Sequence, residues 1–146
     1  MPSSVLRANT VESAPARSAL HGTLARGLLG ATFSTAVNAL IFFVVVDGLG
    51  VTDAALDRVQ PTIVLSLLGA LGATLVFAAL ERVAAQPVRT FRMVALAVLL
   101  ASCVPDFFLT GATTAWGVPT LMAMHVVSAG IMVGALTPRH AERADG

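Results

Sequence analysis

Three polar side chains fall near the middle of long apolar runs, where a polar group needs a physical reason: Asn38, Ser102 and His125. His125 has the most chemistry to offer, because an imidazole titrates near neutral pH and can move a proton or bind a metal. The stretch "LLASCVPDFFLTG" adds a carboxylate, Asp106, directly after Pro105. Catalysis would need these groups in company. The chain holds no HExxH, no GxSxG, no paired carboxylates and no Cys–His pair at a clear spacing. Cys103 is the single cysteine, with no CxxC partner, and reads as a small apolar packing residue. His125 has no second ligand at matching depth, so no metal or haem site is expected. No catalytic residue and no cofactor follow from this inventory.

The elements that carry these residues are four apolar runs, residues 27–46, 61–80, 91–109 and 115–136. Each has roughly 19 to 22 residues. At about 1.5 Å per residue each can cross a hydrocarbon core about 30 Å thick. Inside lipid no water satisfies the backbone, so each run should be helical. Composition agrees: of 146 residues 56% are hydrophobic and 12% charged, and the mean hydropathy is +0.84. A soluble domain is closer to half apolar and a quarter charged. The expected fold is all-α, a membrane-spanning four-helix bundle running up-down-up-down. Its helices fall at about 24–46, 61–85, 88–109 and 115–136, making one domain over 21–138. Residues 1–20 read as a disordered cytoplasmic tail, not a signal peptide, and 139–146 as a second tail.

Orientation follows from arginine. All nine basic residues are Arg. Arg7, Arg17 and Arg26 precede the first run, Arg82, Arg89 and Arg92 lie between the second and third, and Arg139 and Arg143 follow the fourth. Only Arg58 falls on the other side, in a loop with Asp47, Asp53 and Asp57. The positive-inside rule then places both termini in the cytoplasm of a multi-pass plasma-membrane protein. That acidic loop reads either as an ordinary connection or as a short interfacial helix capped by Thr52. A net charge of +1, with no basic face interleaved with aromatics, excludes nucleic acid as a partner.

Threaded this way, Asn38 lies eleven residues into the first run, Ser102 ten past Arg92, and His125 ten past Ala115. Each is about 15–17 Å from its interface, so the three share one level. Two readings stay open. Neutral polar groups hydrogen-bond across helices, at about 0.6–2 kcal/mol each. Alternatively the three line a proton or substrate path.

A third helix ending before Pro105 would span about 18 Å from Met93, too short to cross. Either it begins before Met93, with Arg89 and Arg92 reaching the inner surface, or it continues through Pro105, or both. Asp106 then lies about 21 Å along from Arg92, in the outer third, where a carboxylate costs less than at the bilayer centre. Trp116 sits at the same outer interface, where an indole anchors a helix.

Small residues mark candidate packing faces: Gly30 and Ser34 in the first helix, Gly69 in the second, Gly130 and Gly134 in the fourth. Close approach of backbones is a main source of helix association in lipid, within one chain or between copies.

Several segments together resemble a known family. They are Pro61 leading into a helix that closes on "LER" at 80–82, then "LLAS" with Pro105 shortly after, then "ATTAWGVPTLMAMH" at 112–125, then "GAL" before a basic tail. Over residues 20 to 138 the sequence is similar to small four-helix membrane proteins of actinobacteria grouped only as a domain of unknown function. The resemblance implies the architecture and supplies no activity. The expected role is therefore a non-enzymatic bundle, structural or partner-binding. Its partners are the lipid bilayer and either a second copy or another membrane protein. The alternative is a subunit of a small oligomeric transporter or channel with a polar path at Asn38, Ser102 and His125. An intramembrane enzyme is the third reading and has no constellation to support it.

Overall fold

The computed structural model describes residues 14–52, 56–108 and 116–137, without the side chains of 14–18, 106 and 107. Four helices account for nearly all of it: α1 Ala14–Phe43, α2 Val59–Val83, α3 Pro87–Phe108 and α4 Gly117–Leu136. No strand occurs among the described residues. All four helices are long and apolar enough to cross a membrane.

Their ends follow local chemistry. Pro87 opens α3 at its first position, where a missing N–H costs nothing, and the Gln86 carbonyl accepts the Thr90 N–H at 3.0 Å. Pro61 and Pro119 likewise sit in the first turns of α2 and α4. α1 ends in one wide turn, Val44–Gly48, closed by the Leu49 N–H on the Val44 carbonyl at 3.0 Å. Gly50 then turns the chain at φ 65°, a conformation natural to glycine.

One boundary differs from the sequence expectation. α1 begins at Ala14, so 14–20 is helical and only residues 1–13 of the expected tail remain outside the described residues. The segment after Pro15 is rich in Ala, Leu and Arg, all strong helix formers, and simply extends the membrane helix. At 30 residues α1 is about 45 Å long, more than a bilayer core needs. A helix capped by Thr52 would run through 53–55, which lie outside the described residues; just beyond them Leu56 turns inward and is 2% exposed. α3 both starts before Met93 and continues through Pro105 to Phe108. The Asp106 side chain, Thr113, Thr114 and the C-terminal tail lie outside the described residues.

The helices form a ring in chain order, α1 against α2 and α4, and α3 against α2 and α4. α2 and α4 touch across the centre, while α1 and α3 are the far diagonal. Packing is in layers. Towards the arginine-bearing end Ala31, Ala70, Phe77, Val88, Phe91, Met132 and Leu136 form one apolar layer. Phe77 and Phe91 meet there edge to face, with centroids 5.0 Å apart. Towards the acidic end Phe42, Leu56 and Met124 form a second layer. The outer surface is apolar: Leu28, Leu29, Phe33, Leu65, Leu68 and Leu100 are all exposed. Buried positions include Thr23, Ser34, Asn38, Thr74 and Thr120. Such a chain is polar within and apolar without, the distribution lipid favours and water opposes.

Two glycines let α1 approach its neighbours. A Cβ on Gly27 would overlap the Thr74 side chain of α2, and one on Gly30 would lie 2.9 Å from Ala135 Cβ of α4. Gly69, Gly130 and Gly134 have nothing within 4 Å and are exposed. They are not contact points inside the bundle; the α2 contact face runs through Ala70 and Thr74, one residue further round. Opposite effects are therefore expected from one substitution. Gly130→Ala should raise stability in mild detergent by about 0.5–1 kcal/mol through helix propensity. Gly27→Ala should lower it by about 1–3 kcal/mol through overpacking. Thermal unfolding of the two variants side by side checks this.

Candidate functional site: a buried polar layer

Between the two apolar layers α1, α2 and α4 each present small polar side chains inward. The cause is a four-residue repeat that keeps one face of a helix in register with its neighbour. On α1 the inward face is Thr23, Gly27, Gly30 with Ala31, Ser34, Asn38 and Phe42. On α4 it is Thr120, Met124, Ser128, Met132 and Leu136, and on α2 it is Ser66, Ala70 and Thr74.

Asn38 is the centre of this layer and is 3% exposed. Its Nδ2 donates to Ser66 Oγ at 2.9 Å and to Ser128 Oγ at 2.7 Å. Ser34 Oγ donates to Ser128 Oγ at 3.0 Å. One amide and three hydroxyls thus join three helices. Both amide protons of Asn38 are taken, while its Oδ1 is buried with no partner, as is Thr35 Oγ1 on the preceding turn. An unmet buried acceptor costs about 1–3 kcal/mol.

Hydrogen bonds do not join Asn38 to Ser102 or His125, the two residues expected beside it. Ser102 Oγ donates to Leu99 O of its own helix at 2.9 Å. His125 Nδ1 donates to Leu121 O at 2.8 Å, also within its own helix. Neither bonds to Asn38, whose donors are occupied and whose oxygen has no partner. Rotation about the helix axes accounts for this. Ser102 is on α3, diagonal to α1, and His125 lies one residue, about 100°, round from the Met124–Ser128 stripe. Ser66 and Ser128 take their places. The four-residue spacing of polar and small residues on α2 and α4 was the signal that could have found them.

A second polar cluster closes the arginine-bearing end. Thr23 Oγ1, fully buried, donates to Glu81 Oε2 at 2.7 Å and accepts from Arg26 Nη2 at 3.1 Å. Arg26 Nη2 lies 3.8 Å from Glu81 Oε1, and Arg26 Nε donates to Gly22 O at 3.2 Å. At the opposite end Trp116 is exposed, and its carbonyl accepts from both the amide and the hydroxyl of Thr120. No group of three or more His, Cys, Asp or Glu able to hold a metal occurs among the described residues.

The arrangement joins helices to one another. Its groups are neutral, close together and turned on one another. Asn38→Ala and Ser128→Ala should each cost about 1–2 kcal/mol, and Ser102→Ala less than about 0.5 kcal/mol. A double-mutant cycle on Asn38 and Ser128 should return a favourable coupling of about 0.6–1.7 kcal/mol, whereas Asn38 and Ser102 should be additive.

Comparisons with curated proteins and with solved structures found no match. A family model does match, that of a family of unknown function (DUF6069), over residues 18–142. A chain that carries the family's pattern through all four of its apolar helices belongs to that family.

Proposed function

We propose that this protein is a non-enzymatic, multi-pass bundle of the plasma membrane, with a structural or partner-binding role. Asn38 carries the reading. A polar residue in a bundle core either holds helices together or serves a passing ligand, and here both amide protons of Asn38 bond to neighbouring helices. The charged groups support the same conclusion. Arg26 and Glu81 lie at one end, and Asp47, Asp57 and Arg58 at the other. The positive-inside rule makes the first end, shared by Arg82, Arg89 and Arg92, the cytoplasmic one.

One observation favours a second reading, a subunit of a small oligomeric transporter or channel. Asn38 Oδ1 is a buried acceptor that a passing polar ligand could use. A proton-flux measurement separates the two. Folded protein in liposomes, given a pH step, should show no flux above protein-free vesicles, and Asn38→Ala should lose stability without any other defect. A flux that Asn38→Ala abolishes while the protein stays folded would establish the second reading. Orientation is checked by reporter fusions, with Arg89 expected inside and Asp53 outside.

A further inference from the structure

We propose that the acidic end of the bundle carries a binding site for one phospholipid with a zwitterionic ammonium–phosphate headgroup. The site is a wide cleft of about 890 Å³ between the end of α1 and the start of α2. Its wall is Phe42, Phe43, Val46 and Val64. Phe43 and Val64 are about half exposed, on the belt of apolar side chains that faces outward. The cleft therefore opens sideways to where acyl chains lie, and not only upward to water. Its rim is charged, with Asp47 on the last turn of α1 and Asp57 and Arg58 just before α2.

The two helix ends have opposite polarity. α1 finishes here with the negative end of its dipole, an acidic residue and no basic one in its last turn, which favours a cation. α2 begins here with Arg58 at its cap position, no side chain capping its amides and no acid in its first turn, which favours an anion. Arg58 does pair with Asp57 at 3.5 Å, but both side chains are about three-quarters exposed, so the pair is weak and exchangeable.

Charge complementarity selects the occupant. An anionic headgroup would meet Arg58 but also two carboxylates. A simple cation would leave Arg58 and the α2 amides unused. A zwitterion places its phosphate at Arg58 and its ammonium at Asp47, with the acyl chains along Phe43 and Val64. The site is separate from the Asn38 layer, so its test does not depend on the role assigned there.

The test uses the full chain in mild detergent, incubated with equimolar phosphatidylethanolamine and phosphatidylglycerol and read by native mass spectrometry. The wild type should retain phosphatidylethanolamine over phosphatidylglycerol. Arg58→Gln and Asp47→Asn should each cut that retention about three- to fivefold, the effect of losing one exposed charge contact. Arg82→Gln, at the opposite end, should leave it unchanged. Both rim side chains are exposed, so the variants should unfold at the wild-type temperature, and Arg58→Lys should recover part of the binding. Equal retention of phosphatidylglycerol would overturn the proposal. So would undiminished binding in either variant, or equal stabilisation by inorganic phosphate alone. Reversible dimerisation abolished by the same two variants would instead assign the cleft to a second copy.

Discussion

A backbone in lipid has no water to bond with, and neither has any side chain that shares its depth. The rest of this structure follows from that constraint. It makes each apolar run a helix, and it turns Ser34, Asn38, Ser66 and Ser128 towards one another, where they bond in place of water. It also removes the penalty for exposing leucine, so Leu29 can be 71% exposed while Asn38, nine residues on, is 3% exposed. Packing then depends on shape. Lipid tails are as apolar as a leucine side chain, and helices associate through close contact and hydrogen bonds instead of the hydrophobic effect. α1 supplies both, through Gly27 and Gly30 for contact and Ser34 and Asn38 for bonds.

This makes the four helices unequal. α1 is the hub, pressed against α2 and α4 through a continuous small and polar face. α3 is held mainly at its arginine end, where Val88 and Phe91 are buried. From there its inward side is only partly covered, its hydroxyl Ser102 bonds within its own helix, and Pro105 removes a backbone donor near the far end. Motion or partner binding within the bundle would be easiest along α3, where fewest contacts resist it.

Much of the architecture was legible in the sequence, because length, hydropathy and punctuation by proline and charge act locally. The four runs, the continuation through Pro105 and the place of Asn38 in the core all came from such signals. What escaped was rotational. Ser102 and His125 were chosen by depth, and depth says nothing about which way a helix faces. Gly69, Gly130 and Gly134 were chosen as small residues, yet they face out while Ala70 and Ser128, one or two positions away, face in. The start of α1 escaped for another reason: a short helix-forming stretch of mixed polarity gives little periodic signal until an adjoining membrane helix extends it. Leu56 escaped because a lone leucine in an acidic loop does not announce that it covers the end of a core.

The central claim is that this chain buries its polar face and gives its leucines to lipid. Spin labels placed singly at Leu29, Leu68 and Leu100, and at Ser34 and Ser128, in reconstituted bilayers measure it directly. The account predicts high accessibility to oxygen and low accessibility to a water-soluble nickel reagent at the three leucine positions, and low accessibility to both at the two serines. Leucine positions open to the nickel reagent, or serine positions open to oxygen, would contradict it.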